Sequence, residues 1–177
     1  LLADSNVKVC TVIGFPLGAN ASEIKYNETE LAIFNGATEI DMVINIAAVK
    51  NNDWETVENE IDTINRLVKR ENKIFKLIAE TGLMSEIELE LICKIANDLK
   101  IDYLKTSIGV NGAGANMEVV TAMREMLDKN IKIKEVLELS AILIFFISMS
   151  SIIQSIMMGL NIFKVLAFLN FIFGFIS

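Results

Sequence analysis

Residues 74–107, IFKLIAETGLMSEIELELICKIANDLKIDYLKTS, read as a strand, a helix and a second strand. Ile74 to Ala79 and Ile101 to Ser107 are short apolar runs, and between them apolar residues recur at helical spacing, as in Leu83, Ile87, Leu91 and Ile95. Ser85 followed by Glu88 has the spacing of a capping box, which starts the helix at that point. Two strands joined through a helix run parallel, because the long crossover returns the chain to the same end of the sheet.

The same alternation extends in both directions. Val7 to Phe15 (VKVCTVIGF), Glu39 to Ile44 (EIDMVI) and Ile131 to Lys134 are further candidate strands, and helical patterns begin near Ser22, Asp53 and Asn116. Strand and helix thus recur at roughly the thirty-residue length of a βα unit. Right-handed crossovers leave two architectures, an open doubly wound sheet or a (β/α)8 barrel. Glycine-rich loops follow the first strand (GFPLGAN, 14–20) and the fourth (SIGVNGAGAN, 107–116), where backbone N–H groups can meet a phosphate in either architecture. Neither loop is a Walker A motif or a dinucleotide GxGxxG turn, and each serves equally well as a tight βα turn.

Composition narrows the chemistry. The chain has 177 residues, 53% of them hydrophobic, enough to bury one core. With 23 acidic against 16 basic side chains the net charge of -7 argues against nucleic acid as a partner. The absence of histidine removes Ser-His-Asp and Cys-His catalysis and histidine-ligated metals, leaving carboxylates, lysines, thiols and backbone. Cys10 and Cys93 have no metal or redox spacing and are expected to be small buried hydrophobes in a reducing compartment. The opening LLADSNVKVC has no secretory signal pattern and reads as a start in mid-domain.

Charges inside apolar strands are the informative residues, because an unpaired buried charge is costly and kept only with a partner or a task. Asp41 lies between Ile40 and Met42, Lys105 follows Tyr103 and Leu104, and Lys134 ends the alternation from Ile131. A lysine attacks carbonyls at neutral pH when burial or a second cation destabilises its ammonium form. Lys105 is then the nucleophile, Lys134 the neighbouring cation and Asp41 the group that moves protons. Taken singly, Lys134 also fits the solvent face of a strand, Lys105 a snorkelling lysine and Asp41 a helix cap.

At these residues the chain resembles the deoxyribose-phosphate aldolases. The matching runs are Val9 to Gly18 (VCTVIGFPLG), Glu39 to Asn45 (EIDMVIN) and Tyr103 to Gly109 (YLKTSIG), covering positions 1 to about 134. The resemblance implies a (β/α)8 TIM barrel, here partial with about five of eight strands. It also implies a class I aldolase that uses no metal or other cofactor and cleaves 2-deoxy-D-ribose 5-phosphate reversibly to acetaldehyde and D-glyceraldehyde 3-phosphate. Lys105 falls on the Schiff-base lysine, Asp41 on the proton-transfer group, Lys134 on the lysine that tunes the first, and Gly109 in the phosphate-binding loop. A small phosphorylated sugar as substrate, a cytoplasmic location and a homo-oligomer follow as expectations.

The family's first βα unit, its Ser-Gly-Gly-Ile-Arg-like turn after the second lysine and its last βα units have no counterpart here, which predicts impaired or absent turnover by this chain. Residues 135–177 form a separate hydrophobic segment, expected to be helical, in which only Glu135, Glu138 and Lys164 are charged. Shifted by one base, Glu135 to Ser140 can encode Ser-Ala-Gly-Ile-Lys, the expected turn, which favours a frameshift as the origin of the tail. The alternative is a tail-anchored membrane protein with a non-catalytic phosphate- or partner-binding α/β domain, since the uncharged run from Ala141 to Phe163 is long enough to span a bilayer.

Overall fold

The computed structural model describes residues 6–108 and 117–134. In chain order the elements are β1 (Cys10–Ile13), α1 (Ser22–Phe34), β2 (Glu39–Val43), α2 (Ile46–Lys50), α3 (Trp54–Arg70), β3 (Ile74–Ile78), a 3-10 turn (Thr81–Leu83), α4 (Glu86–Leu99), β4 (Tyr103–Lys105), α5 (Met117–Met126) and β5 (Lys132–Lys134). All the strand pairs are parallel, and the sheet order is β1-β2-β3-β4-β5. A doubly wound sheet reverses direction at a switch point, whereas this sheet adds each strand beside the last, as a barrel wall does. Spatial order therefore decides between the two architectures that the sequence left open. The run from Ala141 to Phe163 lies outside the described residues; among those described, no helix is long and apolar enough to cross a membrane.

Alternation gives the sheet two unlike faces. Ile40, Met42, Phe75, Leu77 and Leu104 are fully buried on the helix-facing side, with Val57, Ile61, Ile64 and Val68 of α3 and Ile92, Cys93 and Ala96 of α4 in the same core. The opposite face carries Glu39, Asp41, Lys76, Tyr103, Lys105, Lys132 and Lys134, among which Asp41, Lys76, Tyr103 and Lys132 are successive register partners from β2 to β5 and Lys105 pairs with Lys134. The core residues of α4 are Leu89, Ile92, Cys93, Ile95 and Ala96, so of the Leu83-Ile87-Leu91-Ile95 row Ile95 is buried, while Ile87 stands 71% exposed. The capping box at Ser85 is formed in both directions. Asp53 caps α3 by accepting from Thr56 N at 3.2 Å. Helix α2 has too few residues for a periodic pattern and is held by Asn45 Oδ1 accepting from Ala48 N at 3.0 Å.

One buried ion pair ties α1, β2 and α3 together. Lys25 Nζ lies 2.7 Å from Glu60 Oε2 with both side chains sealed from solvent, and donates to Val43 O at 3.1 Å. Ser22 Oγ donates to the other Glu60 oxygen at 3.0 Å. Burial pushes the Lys25 ammonium below the usual lysine range, against the pull of Glu60. The GFPLG loop closes over this pair: Gly14 N donates to Glu28 Oε2, and Gly18 N to Gly14 O. Gly18 has φ +65, and a Cβ there would stand 1.8 Å from Ile44 O, so this loop glycine serves close packing. Glu60→Ala leaves Lys25 buried without its counter-ion and should cost about 3–5 kcal/mol by denaturant titration. The double variant Lys25→Met, Glu60→Leu should recover most of that loss. A Glu60→Ala protein within 1 kcal/mol of the unmodified one, roughly the scale of an exposed pair, would refute this role.

Candidate active site

The polar face of the sheet converges on Asp41. The strand that carries it is apolar on its other side, so packing of Ile40 and Met42 against the helices fixes Asp41 toward β1 and β3. Lys105 Nζ donates to Asp41 Oδ2. Lys76 Nζ sits 3.0 Å from Asp41 Oδ1 and also pairs with Glu39 Oε2. Cys10 Sγ donates to Asp41 Oδ1 at 3.1 Å and accepts from Lys76 at 3.4 Å. The side chains of Lys76 and Asp41 are buried, at 2% and 5% exposure, while the amine-bearing Lys105 keeps 12% and so can be reached by a small ligand.

The cluster is balanced, two carboxylates against two ammonium groups, which is the condition for keeping such charges inside a fold. Burial works against the Asp41 carboxylate, and hydrogen bonds from Lys105, Cys10 and Lys76 outweigh it, holding the carboxyl below the usual aspartate range. Lys76 behaves in the same way: burial opposes its charge, but Glu39 and Asp41 hold its ammonium well above the usual lysine range. The hydrogen bond from Lys76 keeps the Glu39 carboxyl low. Desolvation raises the Cys10 thiol, and Asp41 adds to the rise.

These shifts have a consequence for pH. Carboxyls depressed in the folded state contribute stability that is complete above their unfolded values, about 4, and lost as pH falls through the folded ones. The raised Lys76 contributes fully below its unfolded value, about 10.4, and loses that contribution as pH rises through the folded one. The cluster is therefore expected to hold stability level between about pH 4 and 8.5, above which the raised Cys10 thiol and then Lys76 lose their contributions. Urea titrations across pH check this, with Asp41→Asn flattening the acid fall; an acid limb unchanged in that variant would remove Asp41 as its cause.

Of the residues singled out from sequence, Asp41 and Lys105 are in direct contact. Asp41 caps no helix. Lys134 is the register partner of Lys105 on β5 and is exposed, with no ion pair among the described residues. Gly109 lies outside the described residues. Cys10 corrects the expectation of a buried hydrophobe: it is exposed and turned toward Asp41, whereas Cys93 is buried in the apolar core. Lys76 and Glu39 were not anticipated. Lys76 lies between Phe75 and Leu77 and meets the same criterion as Asp41, a charge within an apolar strand; the two are register partners at the middle of β3 and β2. Among the described residues, no group of three Cys, Asp or Glu side chains could hold a metal ion.

No family profile matches the chain. The deoxyribose-phosphate aldolases of Histophilus somni (strain 2336) and Lactococcus lactis subsp. lactis (strain IL1403) are 46% and 47% identical to it over 133 residues, 75% of its length. The match covers 58% and 60% of those proteins, so the chain spans about three fifths of the curated relatives it matches. Among solved structures, QR15, an aldolase, superposes with a TM-score of 0.70 at 34% identity, covering 75% of this chain and 59% of that one. The tetrameric deoxyribose phosphate aldolase from Aeropyrum pernix gives 0.63 at 29% identity, covering 73% and 55%.

Proposed function

Because this chain belongs, over some 133 residues, to the deoxyribose-phosphate aldolase family, we propose that its charged sheet face is built for Schiff-base aldol chemistry on 2-deoxy-D-ribose 5-phosphate. The observation that carries the reading is the contact of Lys105 with Asp41, inside a cluster whose remaining charges are already paired. The Lys105 amine adds to the aldehyde carbon of the open-chain sugar, and loss of water gives an iminium. Removal of the proton from the C3 hydroxyl breaks the C2–C3 bond, and its electron pair flows into the iminium to give an enamine. D-Glyceraldehyde 3-phosphate departs. Protonation of the enamine carbon followed by hydrolysis releases acetaldehyde and the free lysine. Asp41 handles the protons of these steps, directly or through water, because it is within hydrogen-bond reach of the nucleophile. Lys76 and Glu39 hold Asp41 in place, and Lys134, the register partner of Lys105 on the adjacent strand, is assigned the part of the second lysine on family resemblance. Gly109 is assigned to the phosphate loop on family resemblance.

The aldolase segment is taken as residues 1–134, with 135–177 a separate hydrophobic tail, on the change of charge pattern after Glu138. A cytoplasmic location, self-association and weak or absent complete turnover by this chain belong to the same reading. The decisive experiment is reductive trapping. Acetaldehyde with cyanoborohydride should leave a stable alkyl adduct on Lys105 in peptide mass spectra, since trapping needs only the first half of the reaction. An adduct on other lysines but not Lys105 would refute the assignment.

A further inference from the structure

Glu80 is fully buried directly after β3, and the mechanism above does not use it. Its backbone is left-handed, with φ 50 and ψ 57, a conformation that favours glycine. The residue starts the 3-10 turn at Thr81, yet its side chain makes no capping bond to that turn. Instead Oε2 accepts from Ile108 N at 3.0 Å, across to the end of β4, while Oε1 is buried without a hydrogen-bond partner among the described residues. No lysine or arginine among the described residues forms an ion pair with it. Local structure therefore does not explain the carboxylate, and the backbone conformation carries a steric cost that the carboxylate's position must offset.

The bond to Ile108 completes a stitch. Ala79 N donates to Lys105 O at 3.0 Å, and Thr81 N donates to Thr106 O at 2.7 Å. Three consecutive residues, 79 to 81, thus grip the segment from Lys105 to Ile108, with Glu80 supplying the side-chain grip at its far end. The left-handed turn at Glu80 breaks strand alternation and sends the carboxylate inward. Thr106 and Ser107, inside the gripped segment, are themselves buried with hydroxyl oxygens that have no partner among the described residues, so their side chains do little to anchor it there.

We infer that Glu80 is a positioning residue for Lys105: its carboxylate, turned inward and bonded to Ile108 N, fixes the strand end from which the nucleophilic amine reaches its carbonyl. The inference rests on the aldolase reading. A displacement of about 1 Å at a reacting group can cost on the order of 100-fold in rate, so a lost grip would be visible in the chemistry while the sheet stays formed.

Glu80→Gly and Glu80→Gln separate the carboxylate's grip from the backbone strain. Glycine tolerates the left-handed backbone but has no acceptor, whereas glutamine keeps an oxygen for Ile108 N. With acetaldehyde and cyanoborohydride on the full chain, Glu80→Gly should lower the saturating trapping rate at Lys105 by roughly 10- to 100-fold with little change in half-saturating aldehyde. Glu80→Gln should trap at close to the unmodified rate. Amide hydrogen exchange should quicken at Ile108 in the glycine variant, stay slow there in the glutamine variant, and remain slow in β2 and β3 of both. Unmodified trapping by Glu80→Gly overturns the inference, as does an equal fall in both variants or general loss of β2 and β3 protection. An unmodified protein that forms no Lys105 adduct refutes the aldolase reading and this inference with it, a result distinct from a normal adduct that ignores Glu80.

Discussion

Lys105→Met is expected to abolish acetaldehyde trapping, with any residual rate on the order of 10⁴-fold or more below that of the unmodified chain, as when a covalent nucleophile is removed. Methionine keeps most of the stem that Lys105 lays along the sheet face and removes only the amine. The fold should tolerate the change, because Lys105 retains access to solvent and Asp41 keeps its bond from Cys10 and its pairing with Lys76. Twelve other lysines remain in the variant, so residual adducts elsewhere give the background against which the loss is read. The outcome that would sink the assignment is a Lys105→Met protein, folded by circular dichroism, whose total trapping is unchanged.

Asp41→Asn is expected to slow proton-dependent steps by about 10²- to 10⁴-fold, the range for a positioned general acid or base. Asparagine is nearly the same shape, so the change is one of charge and basicity. It acts twice. Lys105 loses its anionic hydrogen-bond acceptor, and the buried Lys76 is left with Glu39 alone. Breaking one arm of a buried charge network is destabilising by up to about 3–5 kcal/mol, and the surviving Glu39 pair should keep the loss toward the lower end. Two measurements separate these effects. Urea titration reads the structural loss, and exchange of the methyl protons of acetaldehyde into deuterated water, followed by NMR, reads proton transfer on the enamine. Exchange at the unmodified rate in a folded Asp41→Asn protein would assign Asp41 a purely structural place.

Much of the fold was legible because alternation and capping are local properties. The five strands fall inside the runs read from the sequence, and Ser22, Asp53 and Ser85 each sit at a helix start. Spatial order was not legible, since a βα repeat says that neighbours are parallel but not on which side each new strand is added. Helix α2 escaped for lack of length, and the row read along α4 puts Ile95 in the core but Ile87 at the surface, because apolar residues occupy more than one of its faces. At the site, Asp41 and Lys105 could be found from charge in an apolar run. Lys76, between Phe75 and Leu77, obeyed the same rule and was nonetheless passed over. Glu80 left no such signal: it follows its strand in a stretch that reads as loop, and its burial comes from a left-handed backbone that residue type does not announce.

The division of each strand into an apolar and a charged side also acts as an error check on assembly. Slipping β3 by one residue would drive Lys76 into the hydrocarbon around Ile61 and Ile64 and turn Phe75 and Leu77 out of it. An unpaired ammonium in such a place costs several kcal/mol, and each large side chain expelled forfeits about 1.5–3 more, together comparable with the whole stability of a small domain. A wrong pairing is thus rejected at once instead of persisting as a near-native trap. The charges proposed for chemistry are also the marks by which the growing sheet tells a correct neighbour from a shifted one.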